Sequence, residues 1–307
     1  MTIPAKHRAP IVFFGTDAFS VPSLVQLIAK GWNIAAVVTK PDSPTGRGQK
    51  ISEPAVKRLA TAAGITVLQP HRVGDIHAEL AATKAVIGVV VAYGKLIPPS
   101  LLELFPRGLV NIHASLLPRY RGASPIEAAI LNGDDETGVT LMQLEAGLDT
   151  GPTYDVSKIQ LEGTETRPEL YERLAELGAD LLAIRLPAIL EGQVVPIPQN
   201  EAEASLVGRL TKADGLIDWT KTAQRLEREV RGYLDWPGSR THLAGAEVTI
   251  TAAHTASDSG PAGQSHRTDD GELAVYAATG SLIIDRLKPA GKRDMPARDF
   301  LTGHPLT

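Results

Sequence analysis

Apolar positions in the first two thirds of the chain alternate between short continuous runs and sets at helical spacing. Ile11–Phe14 is an apolar run closed by Gly15, and helical spacing follows from about Val21 to Lys30. Ile34–Val38 repeats the strand signal, and Thr66–Leu68 repeats it weakly. Ala85–Val91 reads as the clearest buried strand, because it is continuous and β-branched as a central parallel strand covered on both faces must be. Leu109–Ile112 is another strand. Ser124–Leu131 then reads as a helix with Ser124 as N-cap and Pro125 at its first position. Val139–Leu144 and Tyr154–Leu161 follow as strands and Arg167–Leu190 as a long helix. The alternation predicts an α/β fold, a Rossmann-like doubly wound and mostly parallel sheet with helices on both faces.

The pattern breaks at Val194–Gln199, where Pro196 and Pro198 forbid helix, and continues into the polar stretch Asn200–Ser205. Beyond it lie one helical stretch, Thr222–Gly232, and short strand signals at Glu247–Ala252, Glu272–Ala277 and Ser281–Leu287. Ser257–Gly271 reads as a loop. The expected division is a domain over residues 1–193, a linker over 194–208, and a smaller OB-like β-barrel over 209–307.

Composition narrows the chemistry. The 307 residues include no cysteine, which excludes disulfides, thiolate nucleophiles and cysteine-bound metal centres. Lys and Arg number 31 against 35 Asp and Glu, a net charge of −4, so general coating of nucleic acid is not expected. Between Lys40 and Arg58, however, five basic residues (Lys40, Arg47, Lys50, Lys57, Arg58) face two acids, Asp42 and Glu53. No run approaches the length of a membrane helix, and Met1–Pro10 lacks the apolar core of a signal peptide, so a cytoplasmic protein is expected.

The first strand leads into Gly15-Thr-Asp-Ala-Phe-Ser20, with Asp17 and Ser20 where a dinucleotide fingerprint needs glycine, and no phosphate-binding P-loop sequence occurs. The informative stretch is Asn111-Ile-His-Ala-Ser-Leu-Leu-Pro-Arg-Tyr-Arg-Gly122. Asn111 and His113 alternate with Val110 and Ile112, so they point to one face at the end of a strand. Two N–H donors there can polarise a carbonyl and stabilise an oxyanion. In Gly138–Pro152, Asp149 sits in a Gly-rich loop after an apolar strand, where a carboxylate can accept a proton or orient His113. Read singly, these residues are equally compatible with a turn-capping Asn, a structural His and an Asx turn.

Together, strand-end Asn-x-His, the following Ser-Leu-Leu-Pro, and Gly-Leu-Asp-Thr-Gly further on resemble the formyltransferases that use 10-formyltetrahydrofolate. The resemblance implies that Asn111, His113 and Asp149 are catalytic and that Ser115, Leu116, Leu117 and Pro118 line the folate site. It implies no metal. Three further features resemble the branch of that family acting on initiator methionyl-tRNA. They are the basic stretch Thr39–Lys50, the continuation past residue 200 through Ile217-Asp-Trp219 and Trp236-Pro237, and the end of the chain from Leu287 to Gly303. They imply tRNA contacts from Arg47 and Lys50 in a mobile loop, and from Lys288, Lys292, Arg293 and Arg298, in a monomer that uses no membrane. An amino-sugar nucleotide acceptor is the alternative within the same family.

Overall fold

In the computed structural model, which describes residues 9–45 and 50–306, the first apolar run forms β1 (Ile11–Gly15), every residue of it buried. The chain continues through α1 (Val21–Ala29) and β2 (Ile34–Val38) into an antiparallel hairpin, β3 (Ser43–Thr45) with β4 (Lys50–Ser52). Next come α2 (Ala55–Ala62), β5 (Val67–Leu68), α3 (His77–Ala82), β6 (Ile87–Val91), α4 (Pro99–Leu102) and β7 (Leu109–His113). The short β8 (Arg121–Gly122) and α5 (Pro125–Asn132) lead to β9 (Glu136–Gln143), β10 (Thr153–Gln160) and the long α6 (Arg167–Leu190). No helix among the described residues is long and apolar enough to cross a membrane.

The sheet order is β10-β9-β7-β6-β1-β2-β5. The pairings from β7 through β6, β1 and β2 to β5 are parallel, and β9 joins β7 antiparallel. One face is closed by Val12, Phe14, Val38, Val90 and Leu109 with Tyr93 and Phe105. Phe14 meets those two rings edge-on at centroid distances of 5.7 and 6.2 Å, the arrangement that ring quadrupoles favour. On the other face α6 approaches β7 through Gly178, where a Cβ would stand 2.7 Å from Cγ2 of Ile112.

Packing divides the chain into two units. The first takes the residues to Gly122, Thr137–Ile159 and Tyr171–Leu206. The second takes Ala123–Glu136, Gln160–Leu170 and the chain from Val207 on. After β11 (Leu206–Val207), the second unit is built from α7 (Ala223–Gly232), β12 (Ser239–Leu243), β13 (Ala246–Ala256), β14 (Ser265–Arg267), β15 (Leu273–Tyr276), β16 (Ser281–Pro289), β17 (Met295–Pro296) and α8 (Ala297–Gly303). Its antiparallel strands run β12-β13-β16-β15-β14, with β17 on β16, and form a curled half-barrel. Ala223, Leu226 and Val230 of α7 face Val248, Ile250, Leu282, Leu287 and Phe300, a helix stripe buried against the inner face of the strands.

Three expectations change. Ser124 precedes α5 but its side chain does not cap the helix; its Oγ accepts instead from the Leu210 N–H at 3.4 Å. The polar stretch Ser257–Gly271 contains β14, whose partner β15 supplies the pairing that its own sequence does not advertise. Part of the basic loop is the β3–β4 hairpin rather than a free segment; residues 46–49 between its strands, Arg47 among them, lie outside the described residues, as does most of the Met1–Pro10 leader.

Gly138 in β9 tests the close strand contact. A Cβ there would lie 2.1 Å from the Ser157 carbonyl oxygen of β10, which cannot rotate away as a side chain would. Gly138→Ala is expected to cost at least about 2 kcal/mol, read as a lowered urea midpoint. Gly208→Ala, with nothing within 4 Å of the new methyl, is expected to be neutral or mildly stabilising.

Candidate active site

Strand β7 sets the site by its period of two. Val110 and Ile112 face α6, so Asn111 and His113 share the opposite face at the carboxyl end of the strand, where open α/β sheets bind ligands. Both are mostly buried, at 9% and 7% exposure. The Asn111 side chain has no hydrogen-bond partner among the described residues, whereas His113 is held on both sides. Its Nε2 lies 2.9 Å from the Tyr120 carbonyl oxygen and therefore carries a proton, and its Nδ1 faces Oδ2 of Asp149 at 3.7 Å. The contact to Tyr120 is a hydrogen bond, while the approach of Nδ1 to Asp149 is too long to be one.

Asp149 is held by groups on both sides of its own loop. Its Oδ2 accepts the Gly122 N–H at 2.8 Å, and its backbone sits at φ 51°, an unusual conformation for a residue with a side chain. The Gln199 amide nitrogen donates to the carbonyls of Asp149 and Gly151 at 2.8 and 2.7 Å. Arg121, only 4% exposed, donates to the same Gln199 side chain at Oε1 and forms a two-pronged pair with Glu201 at 2.7 and 2.8 Å. The bond to Glu201 raises the Arg121 pKa more than any other interaction, and the Asp149 charge adds to it. The Arg121 hydrogen bond holds the Glu201 carboxyl below its usual range. Tyr120, Arg121, Gly122, Gln199 and Glu201 were not singled out from the sequence. Two act through backbone atoms, and Gln199 and Glu201 lie in the stretch that reads as a linker.

Ser115–Pro118 forms the turn after β7. Ser115 is fully buried, its hydroxyl donates to the Arg119 carbonyl at 2.6 Å, and its own carbonyl accepts from Thr140 at 2.7 Å. Leu116, Leu117 and Pro118 are half-buried and present apolar surface beside it.

The charged residues singled out elsewhere are only partly gathered. Lys57 binds both Asp42 and Glu53, at 2.6 and 2.8 Å, so the excess charge of that segment rests on its other members. Gln69 first, and Lys57 after it, hold the Asp42 carboxyl low. Lys50 opens β4, while Arg47 is outside the described residues. Lys288 near the end of β16, Lys292 and Arg293 in the return to β17, and Arg298 in α8 are all exposed along one short stretch of chain.

Residues 9–186 match the family model described as formyl transferase, and residues 209–305 match the formyl transferase C-terminal domain. The chain is 43% identical over 298 residues to a methionyl-tRNA formyltransferase of Pelobacter propionicus, a match covering 96% of this chain and 93% of that protein. It is 43% identical over 301 residues to one of Myxococcus xanthus, covering 97% and 96%. Among solved structures it resembles an N-formyltransferase of Helicobacter canadensis in complex with folinic acid and dTDP-3-aminofucose. The TM-score is 0.69 at 18% identity, covering 90% of this chain and 98% of that one. It also resembles WlaRD, a sugar 3N-formyl transferase, with TM-score 0.70 at 20% identity, covering 94% and 100%. At those identities the structural likeness speaks for the fold alone.

The Arg121–Glu201 pair has a titration signature. The Glu201 carboxyl, followed by carbon NMR, is expected to titrate below the ordinary glutamate value, and Arg121→Gln is expected to return it there. Because the folded value is depressed, the pair's contribution is present above the unfolded value and is lost as pH falls through the folded one.

Proposed function

The chain belongs to the formyl transferase family, and from that premise we propose that it transfers the formyl group of 10-formyltetrahydrofolate to the amine of initiator methionyl-tRNA in the cytoplasm. The observation that carries the reading is likeness at 43% identity to methionyl-tRNA formyltransferases through both halves of the chain, the half-barrel included. In this reading residues 1–193 hold the chemistry, 194–208 connect, and 209–307 grip tRNA. The connecting segment also serves the site, because Gln199 belongs to it.

The neutral methionine amine attacks the formyl carbon, a C–N bond forms, and the carbonyl electron pair moves onto oxygen. Asn111, with its amide uncommitted, and His113 donate hydrogen bonds to that oxyanion. Nε2 of His113 is engaged by Tyr120, and Nδ1, 3.7 Å from Asp149 and not hydrogen-bonded to it, is the nitrogen that turns to the oxyanion. Asp149 orients the ring and takes the proton released by the amine, directly or through a water. Collapse returns the electron pair to the carbonyl and breaks the bond to N10 of the folate, which receives the proton carried by Asp149 and leaves as tetrahydrofolate. Leu116, Leu117 and Pro118 offer the apolar surface that the flat folate ring system requires, on a turn that Ser115 fixes from inside.

The decisive assay offers radiolabelled methionyl-tRNA and a nucleotide-linked amino sugar as competing acceptors. Formyl transfer to the tRNA is expected, and transfer to the sugar alone would overturn the reading. Asn111→Ala, His113→Ala and Asp149→Ala should each lower kcat by at least about 100-fold with folding retained, the usual loss for one oxyanion donor or its support.

For the tRNA contacts, we expect replacement of Arg47 and Lys50 by Ala to weaken tRNA binding and flatten its salt dependence while leaving folate affinity unchanged. Each lost phosphate contact removes roughly 0.9 from the slope of log K against log salt for duplex and about 0.7 for single strand. Titration at two salt concentrations measures it, with Lys288, Lys292, Arg293 and Arg298 as the second set to replace.

A further inference from the structure

The first unit holds a cavity, of about 310 Å³, that includes none of Asn111, His113 or Asp149. It opens where the chain enters β7 and leaves β9, and its wall is completed by the stretch after α6. Its polar side chains are Arg107, Gln143 and Tyr154. The Arg107 side chain forms no ion pair or hydrogen bond among the described residues and lies over Gly192. A Cβ at Gly192 would stand 3.0 Å from Nη1, so the missing side chain leaves the guanidinium its space. Tyr154 donates its hydroxyl to Oε1 of Gln143 at 3.2 Å, which leaves the Gln143 amide nitrogen as a donor with no partner among the described residues. Burial pushes the Tyr154 hydroxyl up while the nearby Arg107 charge pulls it down. Ile189 and Val195 make the wall apolar, and no carboxylate lines the cavity.

We propose that this cavity is a binding site for a small organic carboxylate with an apolar body. A guanidinium accepts a carboxylate through two parallel N–H bonds, and the Gln143 amide supplies a third donor. A single cation matches a single negative charge. A phosphate dianion would be left half-compensated, with no second cation among the lining residues to meet it. The volume lies at the small end of ligand pockets, where an aryl or branched aliphatic acid fits and a nucleotide does not.

Benzoate titrated into the full chain, followed by saturation-transfer NMR and calorimetry, tests the site. Binding with Kd of about 1 mM or tighter is expected. Benzamide, the same shape without the charge, and inorganic phosphate should each bind at least about tenfold more weakly, by loss of the paired charge or of the apolar contact. Arg107→Gln should weaken benzoate by a similar factor while formyl-transfer turnover stays at the wild-type level, which separates this site from the catalytic one. Equal benzoate affinity in wild type and Arg107→Gln, phosphate binding as tightly as benzoate, or no benzoate binding up to about 20 mM would each overturn the proposal.

Discussion

The site depends on bringing a carboxylate back to an imidazole against the direction of the sheet. Strand β9 runs antiparallel to β7 and ends with Gln143 opposite Val110, three residues short of His113, or roughly 10 Å along the strand. The loop that follows must retrace that distance to set Asp149 beside His113, and it does so with Asp149 in the left-handed region of backbone space. That conformation costs on the order of 1–2 kcal/mol in a residue with a Cβ and persists only where its surroundings impose it. The Gly122 N–H on the carboxylate and the Gln199 amide on the carbonyls of Asp149 and Gly151 impose it here. Both lie outside the trio Asn111, His113 and Asp149.

The clamp has a direction built into it. A glutamine amide can reverse its ends at little steric cost, and reversal would turn the Gln199 oxygen toward two carbonyls. Arg121 prevents this by placing two N–H donors on Oε1, which fixes the other end of the amide as the donor toward the Asp149 loop. Glu201 then balances the nearly buried guanidinium. Because Glu201 is itself 71% exposed, the pair adds little net stability; its effect is to hold Arg121 in one orientation. The order of control runs from Glu201 to Arg121 to Gln199 to Asp149 to His113, each step a polar contact shorter than 4 Å.

What the sequence discloses and what it conceals follow from the same physics. Buried parallel strands are continuous apolar runs, so β1, β2, β6 and β7 are legible, and the period of two in β7 puts Asn111 and His113 on one face before any coordinates are known. Asp149 is legible as a carboxylate in a glycine-rich loop, but not as the partner of His113, since nothing local encodes a contact across 36 positions. The Tyr120 carbonyl and the Gly122 amide leave no side-chain signature at all. Gln199 lies within a proline-broken stretch whose composition reads as a linker, and the pairing of Thr153 with Ile197 on one side and the bonds of Ser205 to Pro118, Tyr120 and Arg121 on the other bring it to the site. The β3–β4 hairpin and β14 were missed because a strand of three residues carries too short a pattern to stand out from a polar, turn-rich background.

Asn111 and His113 reach the same end of β7 in opposite states. The histidine already faces a carbonyl and a carboxylate, so its orientation is set before any ligand arrives. The asparagine amide has been largely withdrawn from water and given nothing in return by the described residues. A desolvated donor without a partner is a standing cost, and a fold retains it where a ligand supplies the missing acceptor. A neutral formyl oxygen supplies a weak acceptor and a tetrahedral oxyanion a strong one. On the proposed mechanism the unspent donor gains most at the point where charge appears, which is the condition for lowering the barrier rather than merely tightening the ground state.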